Sequence, residues 1–121
     1  MKINELCKVV NTRLKTVCDN VFHEIARDSK LYPHIVFTIK SGSNPNLIRF
    51  DYLIDIDIWH TNTEQIETLA DNVELLFNAV TDTASSVISP TFYLDTRLSV
   101  PDEDKNIKHR LVRVQAQIYV R

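Results

Sequence analysis

Residues 50–60 (FDYLIDIDIWH) alternate between two kinds of side chain so regularly that only an extended strand separates them onto two faces. The apolar set is Phe50, Tyr52, Ile54, Ile56 and Ile58, and the mixed set is Asp51, Leu53, Asp55, Asp57 and Trp59. The apolar set predicts a face buried in a core. The mixed set is too apolar for a solvated surface and too charged for a sealed interior, so it indicates a face that meets another protein.

Length and composition predict a single folded domain over residues 1–121. Hydrophobic residues make up 44% of the chain and charged residues 25%, which is ordinary for a globular protein. A chain of this size buries roughly two thirds of its unfolded surface, so it can build a core without disulfides. No apolar run approaches the roughly 20 residues that cross a bilayer, and the polar N-terminus does not resemble a secretory signal. We therefore expect a soluble protein with no membrane partner.

Hydrophobic periodicity assigns two helices and four strands to the chain. Apolar residues at helical spacing predict one long helix from Ile3 to about Arg27 and a second from Ile66 to Val80. Alternation predicts strands near 35–39, 50–60, 91–100 and 112–120, joined by turns at 41–46, 81–90 and 101–106. The expected fold is α+β, helix-hairpin-helix-hairpin, with two helices packed on one face of a four-stranded, mostly antiparallel sheet and the other face open.

The start of the second helix has two candidate capping boxes. Thr61 with Glu64, and Asn62 with Gln65, both have the three-residue spacing that lets a side chain accept a hydrogen bond from the first turn. The sequence leaves the choice between them open.

Charge is unevenly distributed along the chain, although the formal net charge is only −2. Residues 1–49 carry eight basic and four acidic side chains, residues 50–104 carry one and twelve, and residues 105–121 carry five and none. The acidic strand at 50–60 can therefore pair with the basic terminal segment, within one copy or between copies. That segment contains Lys105, Lys108, Arg110 and Arg113. The total charge does not favour nucleic acid as a partner.

Few side chains suggest a catalytic or metal-binding site. Asp55 and Asp57, with His60 nearby, are the ligand types that a metal-dependent hydrolase uses to hold Mg²⁺, but strand alternation alone produces the Asp-x-Asp spacing. The four histidines have no metal-ligand spacing and are expected at the surface or at element ends. Cys7 and Cys18 are interpreted as unbridged apolar residues. We expect no catalytic residue, no metal and no cofactor, and hence a protein that is not an enzyme.

Several segments and their order resemble the tail-completion, tail-terminator and head-tail joining proteins of long-tailed bacteriophages and prophages. The resemblance rests on YPHIVFTIK (32–40), DYLIDIDIWHTN (51–62), EQIETLADNVELLFNAV (64–80) and a closing alternating strand, and it covers most of residues 31–121. It implies a small α+β protomer that forms a ring, commonly a hexamer, at the head-proximal end of the tail tube. There the ring would stop tube growth and meet the head connector.

The same resemblance implies partners and a location. The partners would be further copies of the chain, the tail tube protein and head connector proteins, with DNA at most passing through the lumen of the ring. The protein would be assembled in the cytoplasm of the bacterial host and would reside in the virion tail. The resemblance carries no catalytic residue over to this chain, because the role it implies is structural.

A closed ring needs two different surface patches on each copy, and the segregated charges supply them. The predicted interface residues are Asp55, Asp57, Trp59, Arg110, Arg113 and Tyr119, with the two aromatic residues as anchors. Two alternatives remain open. One is a small cytoplasmic α+β binding module that dimerises through its open sheet face, and the other is the metal-dependent hydrolase that uses Asp55 and Asp57.

Overall fold

The computed structural model describes residues 3–25, 31–43 and 48–119. Within these ranges two helices and six strands follow one another as α1 (Ile3–Leu14), β1 (Val21–His23), β2 (His34–Ser43), β3 (Arg49–His60), α2 (Thr63–Phe77), β4 (Val80–Thr81), β5 (Thr91–Val100) and β6 (Lys108–Tyr119). Among the described residues, neither helix has the length and apolar character that a membrane span requires.

The strands form one mixed, curled sheet in the order β1-β2-β3-β6-β5-β4. β1 pairs with β2 in parallel, and each of the other neighbouring pairs is antiparallel. The predicted helix-hairpin-helix-hairpin fold with a four-stranded sheet is therefore wrong. Short strands at Val21–His23 and Val80–Thr81 extend both edges, and segments of three and two residues are too short for periodicity to reveal.

α1 ends well before the predicted boundary near Arg27, so the prediction of one long first helix is wrong. Asp19 and Asn20 follow α1, and the side chains of these residue types compete with helical backbone hydrogen bonds. Val21 then enters the sheet beside Ile35, where both side chains are buried. Val21 thus continues the helical spacing of the sequence but belongs to a strand. Pairing with β2 satisfies its backbone groups and still buries its side chain.

β3 and β6 lie at the centre of the sheet and pair along their whole length, from Arg49 opposite Tyr119 to His60 opposite Lys108. The buried side chains on one face of this pair are Tyr52, Ile54, Ile56, Ile58, Val112, Val114, Ala116 and Ile118. They share one hydrophobic cluster with Leu6, Val9, Val10 and Leu14 of α1 and with Ile66, Leu69, Ala70, Val73 and Phe77 of α2. Both helices therefore cover the same face, and the core lies between helices and sheet.

Ion pairs hold α2 over strands β5 and β6. Arg97 of β5 reaches the carboxylates of Glu67 and Asp71 at 2.6 Å each, and its guanidinium also lies 3.4 Å from Glu74. Arg110 of β6 donates through Nε to the same Glu67. Charge-assisted hydrogen bonds of this kind constrain geometry more strongly than neutral ones, so they orient α2 across β5 and β6.

A bulge in β5 changes which residues reach each face of the sheet. The pairing register shifts after Leu94, and Asp95 is the extra residue without a partner in β6. Strict alternation would place Leu98 on the core side together with Leu94. The bulge instead sets Leu98 opposite Leu111 on the other face, where Leu98 is 48% exposed.

Asn62 is the N-cap of α2, because its Oδ1 accepts a hydrogen bond from the backbone N–H of Gln65 at 2.9 Å. We expect Asn62→Ala to lower the free energy of unfolding by about 1 kcal/mol, since an amide of the first turn loses its acceptor. Urea denaturation measures the change. Thr61→Ala is the matched control, because the exposed side chain of Thr61 lies outside the cap. A larger loss in the control than in Asn62→Ala would contradict this assignment.

Tyr52 lies on the core face and is 1% exposed, yet its hydroxyl has no hydrogen-bond partner in the part of the chain that the structure describes. Desolvation by this burial raises the pKa of the Tyr52 phenol above its ordinary value of 10.0. A buried hydroxyl without a partner costs free energy, because the hydrogen bonds it makes with water in the unfolded chain are not replaced.

We expect Tyr52→Phe to keep or raise the free energy of unfolding at neutral pH, by up to roughly 1 kcal/mol. Above the ordinary phenol pKa the unfolded chain releases the Tyr52 proton more readily than the folded one. The wild type should therefore lose stability as the pH rises beyond about 10, and the variant should lose less. Denaturation at pH 7 and about pH 10.5 measures both effects, with Tyr93→Phe as the exposed control. A marked loss at pH 7 would show that the hydroxyl is bonded.

Candidate functional site

The face of the sheet opposite the helices, here called the open face, carries the mixed side chains of β3 and their cross-strand neighbours. Its members include His34 and Val36 of β2, Asp51, Leu53, Asp55, Asp57 and Trp59 of β3, Tyr93 and Leu98 of β5, and His109, Leu111, Arg113 and Tyr119 of β6. Both described helices pack against the other face. The open face is therefore the broad sheet surface that these helices leave without a partner.

An ion pair occupies the middle of the open face. Asp55 and Arg113 are direct cross-strand partners, and the guanidinium reaches the two carboxylate oxygens at 2.7 and 3.3 Å. Asp55 is only 5% exposed, and a carboxylate so buried is tolerated when a cation and hydrogen bonds satisfy it. The hydrogen bond and the charge of Asp55 raise the pKa of Arg113, and the charges of Asp95 and Asp57 add to this. Two hydrogen bonds thus hold the pair in one geometry, and Arg113 keeps its charge.

Three rings form a row across one end of the open face. His34, Trp59 and His109 lie on three neighbouring strands in register, and their rings stack with centroids 5.0 and 4.3 Å apart and interplanar angles of 19° and 21°. His109 Nε2 lies 2.7 Å from Asp57 Oδ1, so the imidazole donates to the carboxylate. His34 Nδ1 lies 2.9 Å from the carbonyl oxygen of Leu31 and donates to it. These contacts orient the row, here called the ring row.

Tyr119 lies at the opposite end of the open face, across from Arg49 in β3. A hydrogen bond with Tyr119 is the largest cause of the raised pKa of the Arg49 guanidinium, which Asp51 also supports by charge and hydrogen bonding. Tyr119 is 54% exposed, and Tyr93 and Leu98 of β5 are exposed as well. Apolar surface is therefore available on the open face away from the charged pair.

The structure brings together five of the six predicted interface residues and separates Arg110 from them. Asp55, Asp57, Trp59, Arg113 and Tyr119 share the open face. Arg110 is paired with Ile58, so its side chain lies on the helix-covered face, where it contacts Glu67 of α2. The basic segment and the acidic strand therefore pair within one copy, through Asp55–Arg113 and Asp57–His109. A contact of these residues with another copy stays a prediction.

The metal-dependent hydrolase receives no support from the geometry. Among the described residues there is no group of three or more histidine, cysteine, aspartate or glutamate side chains arranged to hold a metal ion. The oxygens of Asp55 face the guanidinium of Arg113, and Asp57 receives the imidazole of His109. Hydrogen-bond donors of the protein itself, the guanidinium of Arg113 and the imidazole of His109, thus occupy the carboxylates that the Asp-x-Asp spacing singled out. The two cysteines are free thiols, and desolvation raises the pKa of each, which disfavours the reactive thiolate.

The histidines make contacts that the sequence alone did not predict. His34 is 3% exposed and His60 9%, and they stand at the start of β2 and at the end of β3, so both meet the expectation of element-end positions without lying at the surface. His60 Nδ1 accepts a hydrogen bond from the backbone N–H of Thr61 at 2.8 Å and closes the turn into α2. His34 and His109 flank Trp59, and only the strand register reveals that, because the three residues are far apart in sequence.

The predicted turns are found with different bounds. β2 continues to Ser43, so residues 41–43 of the turn predicted at 41–46 belong to a strand, and residues 44–46 lie outside the described ranges. The segment predicted as a loop at 81–90 begins inside β4. The acidic loop between β5 and β6 is folded on itself, since Asp102 Oδ1 accepts from the N–H of Asp104 at 3.0 Å and Asp104 Oδ1 accepts from that of Asn106 at 2.9 Å.

The Asp55–Arg113 pair can be tested by a double-mutant cycle. Arg113→Gln leaves the Asp55 carboxylate without its cation, and an unpaired buried carboxylate costs roughly 1–3 kcal/mol of unfolding free energy. In Asp55→Asn with Arg113→Gln no charge is left alone, so we expect a smaller loss than the sum of the two single variants. Equilibrium denaturation of the four proteins measures the coupling. Strict additivity would mean that the pair does not interact.

The fold is similar to that of a chain in a solved structure described as the virion of a native gene transfer agent (GTA) particle. The two chains superpose with a TM-score of 0.65 over 91% of each, at 7% sequence identity. Sequence comparison finds neither a protein family nor a curated protein that matches this chain. At this identity the likeness establishes a common fold, which the chain shares with a component of a virion-like particle.

Proposed function

We propose that this chain is a structural protein of a phage or prophage tail, which forms a ring at the head-proximal end of the tail tube, ends tube growth and joins tail to head. The observation that carries the proposal is the fold likeness to a GTA virion chain over 91% of both chains. The resemblance of residues 31–121 to tail-terminator and head-tail joining proteins supports the same role from the sequence.

The open face supports assembly by its physical character. It combines a rigid ion pair, a stacked ring row and exposed apolar side chains, among them Leu98 and Tyr119. Aromatic residues and arginine are the types that dominate interface energetics, and prearranged side chains lose little conformational entropy when a partner docks. A face of this kind meets a different patch on the next copy when copies close into a ring.

The proposed partners are further copies in a ring, with a hexamer as the expected number, the tail tube protein and the head connector. DNA at most passes through the lumen of the ring. The protein acts in the virion tail after assembly in the host cytoplasm, and it acts by binding alone. The open face supports this proposal because its carboxylates are engaged by Arg113 and His109, which leaves them poorly placed for acid–base or metal chemistry.

The proposal is tested in a phage or prophage whose genome carries this gene. We expect deletion to abolish infectious particles and to leave either tails of uncontrolled length, if the ring ends tube growth, or tails of normal length detached from filled heads, if it only joins the two. Electron microscopy of the lysate distinguishes these results, and a plasmid copy of the wild-type gene should restore particles. Normal titre and morphology in the deletion strain would reject the proposal.

The role of the open face is tested with variants in the same strain. We expect Leu98→Asp and Tyr119→Asp on the plasmid copy to lower the particle titre by at least about tenfold, because a charge replaces an exposed apolar contact. Leu75→Asp is the matched control, since Leu75 is exposed to 76% on α2, away from the open face. Equal titres for all three variants would remove the open face from the interface while leaving the deletion result intact.

A further inference from the structure

The sheet ends in two long strands whose outer edges are covered only in part by short strands. β1 pairs with β2 at residues 35–37, and no described strand pairs with the outer edge of β2 over residues 38–43. β4 pairs with β5 at Thr91 and Phe92, so the outer edge of residues 93–100 also has no paired strand among the described residues. Such an edge presents backbone N–H and C=O groups with which another strand can pair. The segments 38–43 and 93–100 are here called the β2 edge and the β5 edge.

Each edge contains a β-bulge whose extra residue is charged, and the two charges have opposite signs. The register of β2 with β3 shifts between Ile39 and Ser41, so Lys40 is the extra residue there, as Asp95 is in β5. Both side chains are exposed, and neither makes a hydrogen bond or an ion pair with a described residue. Arg97, the other charged residue of the β5 edge, is engaged by carboxylates of α2. The β2 edge therefore carries an available positive charge and the β5 edge an available negative one.

The two edges also run in directions that let them pair with each other. Three antiparallel pairings separate β2 from β5 in the sheet, so these two strands point in opposite directions. When β5 of one copy lies beside β2 of another, with the helices of both on the same side, the two strands are antiparallel, as their neighbours are. A stagger between the copies, which the strands of any closed sheet have, keeps β1 and β4 clear of this junction.

Charge favours this junction over a pairing of like edges. Bulges and charged side chains on an edge protect it against indiscriminate pairing with other strands. Two β2 edges would bring together two copies of Lys40, and two β5 edges two copies of Asp95, so like charges would repel each other. A junction of unlike edges brings one lysine and one aspartate together. It also joins two different patches, as the closure of a ring requires.

We propose that the β5 edge of one copy of this chain pairs with the β2 edge of the next copy, with Asp95 and Lys40 at the same junction. The proposal rests on the proposed function for the existence of a ring, and it adds which two patches of neighbouring copies meet. It agrees with a role of the open face, because Leu98, which is exposed on that face, belongs to the β5 edge.

Charge reversal tests the proposal in the purified chain, with sedimentation equilibrium as the measurement. We expect Lys40→Glu and Asp95→Lys each to weaken self-association roughly fivefold or more, because each places like charges at the junction. An equimolar mixture of the two variants should regain the association of the wild type. In an alternating arrangement of the two, every junction again holds one positive and one negative residue. Lys15→Glu, in an exposed position after α1, is the matched control and should leave association unchanged.

Hydrogen exchange locates the contact on the chain. The amide protons of residues 38–43 and 93–100 should exchange more slowly as the protein concentration rises, whereas those of the exposed loop at 101–106 should not change. Slower exchange confined to residues outside the two edges would overturn the proposal.

The association measurements can overturn the proposal in two further ways. If each charge reversal leaves association unchanged, like edges meet, because their junction holds two like charges before and after the reversal. A chain that stays monomeric up to about 1 mM would show that the edges do not pair. Both results are independent of the phage experiment. Normal particles in the deletion strain would reject the role in the tail and leave the pairing of the edges intact.

Discussion

The antiparallel pairing of β3 with β6 is the interaction on which the rest of the structure depends. The two strands pair in unbroken register from end to end, and each has neighbours on both sides, so their backbone groups are satisfied within the sheet. Their side chains alternate strictly. One face of the pair anchors the core under both helices, and the other face brings Asp55 to Arg113 and Trp59 to His109. A shift of one residue would exchange these faces, so core and open face are specified together.

The open face owes its character to pairs that form across strands. Asp55 is buried although no described helix lies above it, because Arg113 and the neighbouring side chains screen it from water. The ring row is likewise assembled from three strands that the sheet places side by side. Such a surface is already ordered before a partner arrives, which lowers the entropy cost of binding. That property agrees with a role in assembly.

The likeness to a GTA virion chain at 7% identity has a physical explanation. A sheet with one buried face and two covering helices requires alternation in the strands, helical spacing in the helices and a few turn residues, and many sequences meet these conditions. Individual residues are free to change as long as the pattern remains.

The sequence by itself determined the strand at 50–60, the closing strand as far as Tyr119, the second helix and the side chains that share a face with Trp59, because alternation and helical spacing are local properties. Prediction from the sequence failed where non-local contacts decide the structure. Val21 fits the helical spacing but pairs with β2, and the bulge at Asp95 places Leu98 on the open face. Strand order decided that His34 and His109 flank Trp59 and that Arg113 meets Asp55, since residues so distant in sequence are joined only when the sheet closes.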